Sequence, residues 1–476
     1  MPEPNDKDDS TLAPALADLL NKPGETNKVL NLSRLTSGAS METWSFTHNG
    51  HPLILRRLPG TSAMDAATGL GHISIETEAE VIRFVRQHGV CVPEIIAIIP
   101  PGHPLGRGFV MTYESGLTQP NTIQNAPEFA DVRNTFIKIC ARELAALHKI
   151  DPQLAPKGLP QVEAKDLLQE TRAFYKSAGG QSVIFEIAFA WLERHLPSPV
   201  APRLLHADFR LGNLMFDPTR GLTAILDWET ACLGDPARDI AYIAVPSWRF
   251  GGYTNPVAGL GKWQDWLDAY QQETGHHIDP HRVKFWLVLN TLWWGVICLR
   301  MVGFWRAGTD RSLERCMIGT RVSEVELDLL NLLEDIEGLS APPHIWTLPD
   351  TKHESGETQA AELSKAVAEW LTAEILPLQT GRTRFEVLVA RNAQRLLERH
   401  AQFGYIFQER QNARLLRIGL SSAALYQQAQ TGTLNLKNPD ILWHIRLTAL
   451  ENLAIYQPKY PGFEYVLQKW EKGEQT

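Results

Sequence analysis

Two short apolar runs, Leu214 to Phe216 and Leu222 to Leu226, flank the turn-forming residues Asp217-Pro218-Thr219-Arg220-Gly221. This pattern predicts a β-hairpin near the middle of the chain. Upstream, Pro52 to Arg57 reads as a strand, and Gly108 to Glu114 reads as a strand running into a polar segment. Ile75 to Val85 instead carries apolar residues at helical spacing, with acidic residues in its first turns, and Glu143 to His148 is spaced in the same way. Late in the chain the helical period dominates. Apolar residues recur at i, i+3 and i+4 through Ala360 to Leu376, Arg384 to Phe403, Ala423 to Ala429 and Leu442 to Ile455.

The order of these elements predicts an α+β protein with an all-α C-terminal domain. At 476 residues the chain exceeds one ordinary domain. Punctuation suggests a flexible tail over residues 1–20, a β-rich lobe over 21–115, a mainly helical lobe over 116–340, a linker over 341–358 rich in Pro, Gly and charge, and a helical accessory domain over 359–476.

Composition narrows the partners. Apolar residues make up 44% of the chain and it holds 14 tryptophans, enough for substantial cores, while the net charge of -8 argues against a nucleic-acid surface. The apolar stretch around Phe285 to Leu289 is interrupted by Asn290, and falls short of the roughly 18 apolar residues a bilayer requires, so no membrane span is expected. Met1 to Ser10 is acidic and polar, unlike a signal peptide, which suits a cytoplasmic location. The five cysteines form no close pairs, so neither a disulfide nor a zinc site is expected. His276, His277 and His281 lack acidic partners at ligand spacing.

The candidate chemistry lies around the hairpin. His206-Ala207-Asp208, then Asn213, then Asp227 form H-x-D-x-x-x-x-N followed by D. Phosphoryl transfer needs a carboxylate to orient the acceptor hydroxyl and two oxygen ligands for Mg²⁺. Asp208 is the candidate catalytic base. Antiparallel pairing sets the start of the first strand beside the end of the second, so Asn213 and Asp227 should meet at the open end as metal ligands. Asp235 and Asp239, in Gly234-Asp235-Pro236-Ala237-Arg238-Asp239, are expected to hold local backbone N–H groups or His206. Glu229 is expected either at a metal-bound water or the acceptor, or in an ion pair with Arg210 or Arg238.

These residues resemble the aminoglycoside phosphotransferase family, with its choline kinase-like members, whose fold is that of the protein kinases. Here His206-Ala207-Asp208 stands where the family usually has His-Gly-Asp, and Asp227-Trp228-Glu229 with Gly234-Asp235-Pro236 is similar to its metal-binding segment. The Asp-Trp-Glu form resembles the phosphotransferase half of the acyl-CoA dehydrogenase 10 and 11 type proteins. The resemblance implies a bilobal enzyme using ATP and Mg²⁺, with nucleotide and a small-molecule hydroxyl acceptor held in the cleft between lobes. It places Ser37, Gly38 and Ser40 in the loop over the nucleotide phosphates, Arg56 where the family has its phosphate-binding Lys, and Met111 and Tyr113 at the hinge that meets adenine. Glu78 is the helix carboxylate expected to pair with Arg56, with Glu76 and Glu80 as close competitors.

The resemblance also points to Tyr242 to Phe250 and Trp286 to Trp305 as the acceptor region. Its Trp286, Trp293, Trp294, Phe304 and Trp305 suit an apolar or amphipathic acceptor, such as a hydroxyacyl-CoA, unless they are helix-packing core. A kinase of a small polar acceptor and a non-catalytic nucleotide- or acyl-CoA-binding regulator remain as alternatives. From Arg382 to Arg417 eight arginines face three glutamates. They predict either a solvated, ion-paired face or an anion site for a ligand such as a CoA thioester. A homodimer through the C-terminal helices is a further expectation.

Overall fold

Alternating buried positions along the early strands build one antiparallel sheet, seen in a computed structural model that describes residues 6–35, 41–58, 72–350 and 356–472. Ser37, Gly38 and Ser40, expected over the nucleotide phosphates, lie outside the described residues. The strands are β1 (Val29–Arg34), β2 (Glu42–His48), β3 (His51–Leu58), β4 (Ile95–Ile98) and β5 (Arg107–Thr112), in the order β1-β2-β3-β5-β4. In β3 the period of two separates neighbours. Leu53, Leu55 and Arg57 face a core with Trp44, Phe46 and Val110, and the other face carries Ile54 and Arg56. Arg57 is buried on Glu42 at 2.7 Å.

The same core corrects the expectation of a flexible start. Asp6–Leu20 is a helix, and its Leu12 and Leu16, one turn apart, are buried beside Trp44 and Leu53. Burying each leucine is worth roughly 1.5–3 kcal/mol, enough to hold a short helix that propensity alone would leave frayed.

The helix Ile75–Gln87 packs on β4 and β5, starting at Ser74, whose side chain accepts from Thr77 N–H. Its buried face carries Glu78 with Ala79, Ile82 and Val85. Beyond the sheet come β6 (Gln161–Val162), β7 (Arg203–Leu205), the hairpin β8 (Leu214–Asp217) and β9 (Gly221–Ile225), and β10 (Cys232–Gly234). β6, β10 and β7 form a small sheet, and the hairpin pairs Leu214 with Ile225.

The chain forms two compact units whose borders differ from the expected domains. The first holds Met1–Ala164, Pro199–Ala244 and Thr254–Asp279; the second holds Lys165–Ser198, Val245–Tyr253 and Pro280–Thr476. The C-terminal helices thus share a unit with helices assigned from sequence to the catalytic lobe. The reason is a shared interior. Glu334 of the helix Val322–Glu337 is buried against Arg446 of Pro439–Tyr456 at 2.8 Å and accepts from Trp470 Nε1 at 2.7 Å.

The apolar stretch near Asn290 is also longer than expected. Pro280–Ala307 is a single 28-residue helix, and among the described residues it is the one long and apolar enough to cross a membrane. Half of its most apolar window is buried inside the fold, including Trp286, Val288 and Leu292, as in a core helix. Trp286 is accordingly packing core. Trp294 lies 5.0 Å from Trp248, and Trp293 lies 6.0 Å from Phe174.

Candidate active site

The hairpin does bring the ends of the motif together. Leu226 N–H donates to Asn213 O at 2.9 Å, which sets Asn213 and Asp227 at the same end of β8 and β9. His206 is fixed there too. Its Nε2–H donates to Leu226 O at 2.9 Å, and its Nδ1 accepts from Asp208 N–H at 3.2 Å. These two partners select the neutral tautomer protonated on Nε2.

Asp208 is held by side chains on both oxygens. Asn213 Nδ2 donates to its Oδ2 at 2.5 Å and to its backbone O at 3.0 Å, while Arg210 Nε lies 3.1 Å from Oδ1. Tyr242 also hydrogen-bonds the carboxylate; burial and then that negative charge push its phenol well above the ordinary range. Arg210, expected as a partner for Glu229, is therefore a partner of Asp208. Its position two residues after Asp208 was the available signal.

Below the loop, Asp239 is fully buried and accepts from His206 N–H at 2.9 Å and Ala207 N–H at 2.7 Å. His148 Nε2 lies 3.2 Å from the same carboxylate. Burial would raise its pKa, but His148 and the backbone N–H of His206 hold it below the usual range. Ala207 sits at φ 62°, the left-handed region that a side chain resists. Alanine therefore takes the conformation a glycine would take freely. Asp235 fulfils its local role by accepting from Ala237 N–H at 3.0 Å.

Opposite the hairpin, the Arg56 guanidinium gathers three carboxylates. Its Nη2 lies 2.8 Å from Asp227, 3.3 Å from Glu229 and 3.4 Å from Glu78. Of the three helix acids, Glu78 is thus the one that meets Arg56, because it is on the buried face; Glu76 pairs with Arg107 at 2.7 Å and Glu80 is exposed. Glu229 pairs with Arg56 rather than with Arg210 or Arg238.

One guanidinium does not neutralise three acids. Burial raises Glu78 to about 7 against the pull of Arg56, and burial with the charge of Asp227 raises Glu229 to about 8. Burial also works to raise Asp227, but Arg56 and Arg210 outweigh it and hold that carboxyl below its usual range. Arg56 itself is stabilised as a cation, its burial outweighed by Glu78, Asp227 and Glu229. Its buried Nε has no hydrogen-bond acceptor among the described residues.

The donor set fits the ions and phosphates expected here. With Nδ2 committed to Asp208, Asn213 has its amide oxygen to offer, and Asp227 bonds Arg56 through Oδ1 alone. Such oxygen donors, beside surplus negative charge, suit Mg²⁺ that also takes phosphate oxygens. Among the described residues no three His, Cys, Asp or Glu side chains form a metal cage by themselves. At the expected hinge, Met111 lies in β5 opposite Ile54 and Ile95, and Tyr113 N–H donates to Pro52 O at 3.2 Å.

A profile of the phosphotransferase enzyme family matches residues 31–286, and one of a domain of unknown function, DUF6285, matches residues 377–460. Acyl-CoA dehydrogenase family member 10 of Mus musculus is 27% identical over 220 residues, 45% of this chain and 20% of that protein. Acyl-CoA dehydrogenase family member 11 of Homo sapiens is 26% identical over 250 residues, 51% of this chain and 31% of that protein. The chain thus matches a fifth to a third of the length of these relatives. Among solved structures, a provisionally named aminoglycoside phosphotransferase from Ralstonia eutropha JMP134 aligns with a TM-score of 0.54 and 21% identity, over 69% of this chain and 98% of that one. The expected α+β, kinase-like architecture is present.

Proposed function

The chain belongs to the phosphotransferase enzyme family, and from that premise we propose that it moves the γ-phosphoryl group of ATP to a hydroxyl of a hydroxyacyl-CoA or a related lipid-derived acceptor. The general activity, phosphotransfer to an alcohol group of a small molecule, follows from the family; the acceptor is the proposal. The observation that carries the chemistry is Asp208, held between Asn213 and Arg210 beside the acidic end of the hairpin.

The Asp208 carboxylate, although met by Asn213, Arg210 and Tyr242, has acceptor capacity left on its two oxygens and would take the acceptor's hydroxyl proton. The acceptor oxygen then bonds to the γ-phosphorus, the bond to the bridging oxygen breaks, ADP leaves and the proton stays on Asp208. Arg210 places a fixed positive charge beside that carboxylate. Arg56 would hold nucleotide phosphates through N–H groups such as its unpartnered Nε, with Glu78 steadying its other side. Asn213 and Asp227 would hold Mg²⁺, which when bound neutralises phosphate charge. Ala207 supports a working loop, since it adopts the left-handed backbone associated with the glycine it replaces.

One feature favours an acyl-CoA acceptor over a polar one: the acyl-CoA dehydrogenase relatives. The test incubates the protein with ATP, Mg²⁺ and a panel of hydroxyacyl-CoAs, amino alcohols, sugars and aminoglycosides, with products weighed by mass spectrometry. Addition of one phosphoryl group to hydroxyacyl-CoAs is expected. Selective phosphorylation of an amino alcohol, sugar or aminoglycoside would replace that acceptor.

A further inference from the structure

The second unit contains a cavity of about 770 Å³ that the phosphotransferase reading does not use. One wall is the helix Gly381–Ile418, which presents Arg391, Arg395 and Arg399. These lie four residues apart, so they share a face and are spaced about 6 Å along the axis. Arg321 and Lys459 complete five cations on the wall, against one carboxylate, Glu314.

That carboxylate is already engaged by Arg382 at 2.9 Å, outside the cavity lining. Arg321 is paired with Glu324 at 3.0 Å and Arg395 with Glu398 at 3.0 Å. The remaining three cations have no such neutralisation. Arg399 donates Nε to the backbone O of Ile455 at 2.7 Å and Arg391 donates to the Asn392 amide oxygen at 3.1 Å. Among the described residues, no carboxylate lies within ion-pair distance of Arg391, Arg399 or Lys459. Arginines met only by neutral acceptors keep N–H groups and full charge for a second partner, and their forks match phosphate oxygens.

The rest of the lining mixes polar Thr372, Asn392 and Gln457 with an apolar patch. That patch is Met317, Ile318, Phe385 and Val389; the Phe385 ring, 43% exposed, has the Arg382 guanidinium 5.4 Å from its centre. A site for inorganic phosphate alone would not need such a surface, and a purely apolar pocket would not need five cations. The volume falls within the roughly 300–1,000 Å³ range of small-molecule pockets.

We propose that this cavity is a binding site for an organic polyphosphate carrying an apolar arm, with Arg391, Arg395, Arg399 and Lys459 on the phosphates and Phe385 on the arm. It lies wholly within the second unit and stands whether or not the phosphotransfer assignment holds. The matching profile for residues 377–460 describes a domain of unknown function, and this gives it a ligand class.

The test is calorimetric titration of the full-length protein at low salt with hexanoyl-CoA, inorganic pyrophosphate and hexanoate. Hexanoyl-CoA has no acyl hydroxyl and is expected to bind more tightly than either fragment. Arg391→Gln with Arg395→Gln should weaken it about tenfold or more, as for loss of charge-assisted contacts, with an unchanged far-ultraviolet dichroism spectrum. Should that pair disturb folding, the exposed Lys459→Gln gives the same reading with a smaller loss. Phe385→Ala should weaken hexanoyl-CoA but leave pyrophosphate unaffected. Undiminished hexanoyl-CoA binding in both the paired variant and Lys459→Gln would overturn the site. Equal affinity for pyrophosphate alone, with Phe385→Ala silent, would overturn the apolar half of the assignment.

Discussion

Asp239 holds Ala207 in a left-handed conformation by accepting its N–H at 2.7 Å, while the same carboxylate accepts the preceding N–H of His206 at 2.9 Å. The loop ahead of Asp208 is thus shaped by an acid 32 residues further along the chain.

A left-handed alanine costs about 1 kcal/mol, and glycine relieves it while adding unfolded-state entropy. Ala207→Gly is therefore expected to be neutral or stabilising by up to about 1 kcal/mol in urea unfolding. Asp239→Ala leaves two buried N–H groups unpaired and should cost roughly 2–5 kcal/mol. A stable, fully active Asp239→Ala protein would refute the holding role.

Asp208→Asn keeps the size of the side chain and its place between Arg210 and Asn213 but removes the proton acceptor. Phosphoryl transfer should fall by about 100-fold or more, the usual contribution of a general base. Nucleotide binding, followed by thermal shift with ATP and Mg²⁺, should remain. Undiminished turnover would remove Asp208 from the mechanism.

Arg56 is the one cation touching Glu78, Asp227 and Glu229 among the described residues. Arg56→Ala leaves a carboxylate buried at Glu78 without its partner and is expected to cost on the order of 1–3 kcal/mol, less than a fully buried pair because the other two acids are about one-third exposed. ATP-induced stabilisation should vanish as well. Arg56→Lys should restore part of both, as measured by thermal denaturation with and without nucleotide.

Asp328 in the second unit accepts from Tyr460 Oη at 2.6 Å, and burial pushes its carboxyl up to about 7. An unfolded Asp titrates near pH 4, so between about pH 4 and 7 the native state keeps a proton that the unfolded chain has lost. Stability from this group therefore falls as pH rises through that window and is lost above it. Asp328→Asn preserves an acceptor for Tyr460 without ionising, so it should be roughly 1–3 kcal/mol more stable relative to the parent at pH 8 than at pH 4. Denaturant unfolding across pH reads the difference, and parallel curves would discount the titration.

The sequence by itself determined the elements whose signals are local. The turn cluster between two apolar runs specified the hairpin, and the hairpin's register set Asn213 and Asp227 at one end. Helical spacing specified Ile75–Gln87, though three acids on its first two turns left the inward one open. Only the tertiary structure decided that Glu78 meets Arg56, and that Glu229 joins them from 173 residues away. It also decided that Arg210 turns to Asp208, that Asp6–Leu20 docks on the sheet, and that the late helices share a core with Lys165–Ser198. Backbone periodicity follows from steric rules acting over a few residues, and so is legible along the chain. Ion-pair partners and buried faces depend on which distant segments exclude water together, a choice that exists only once the chain has packed.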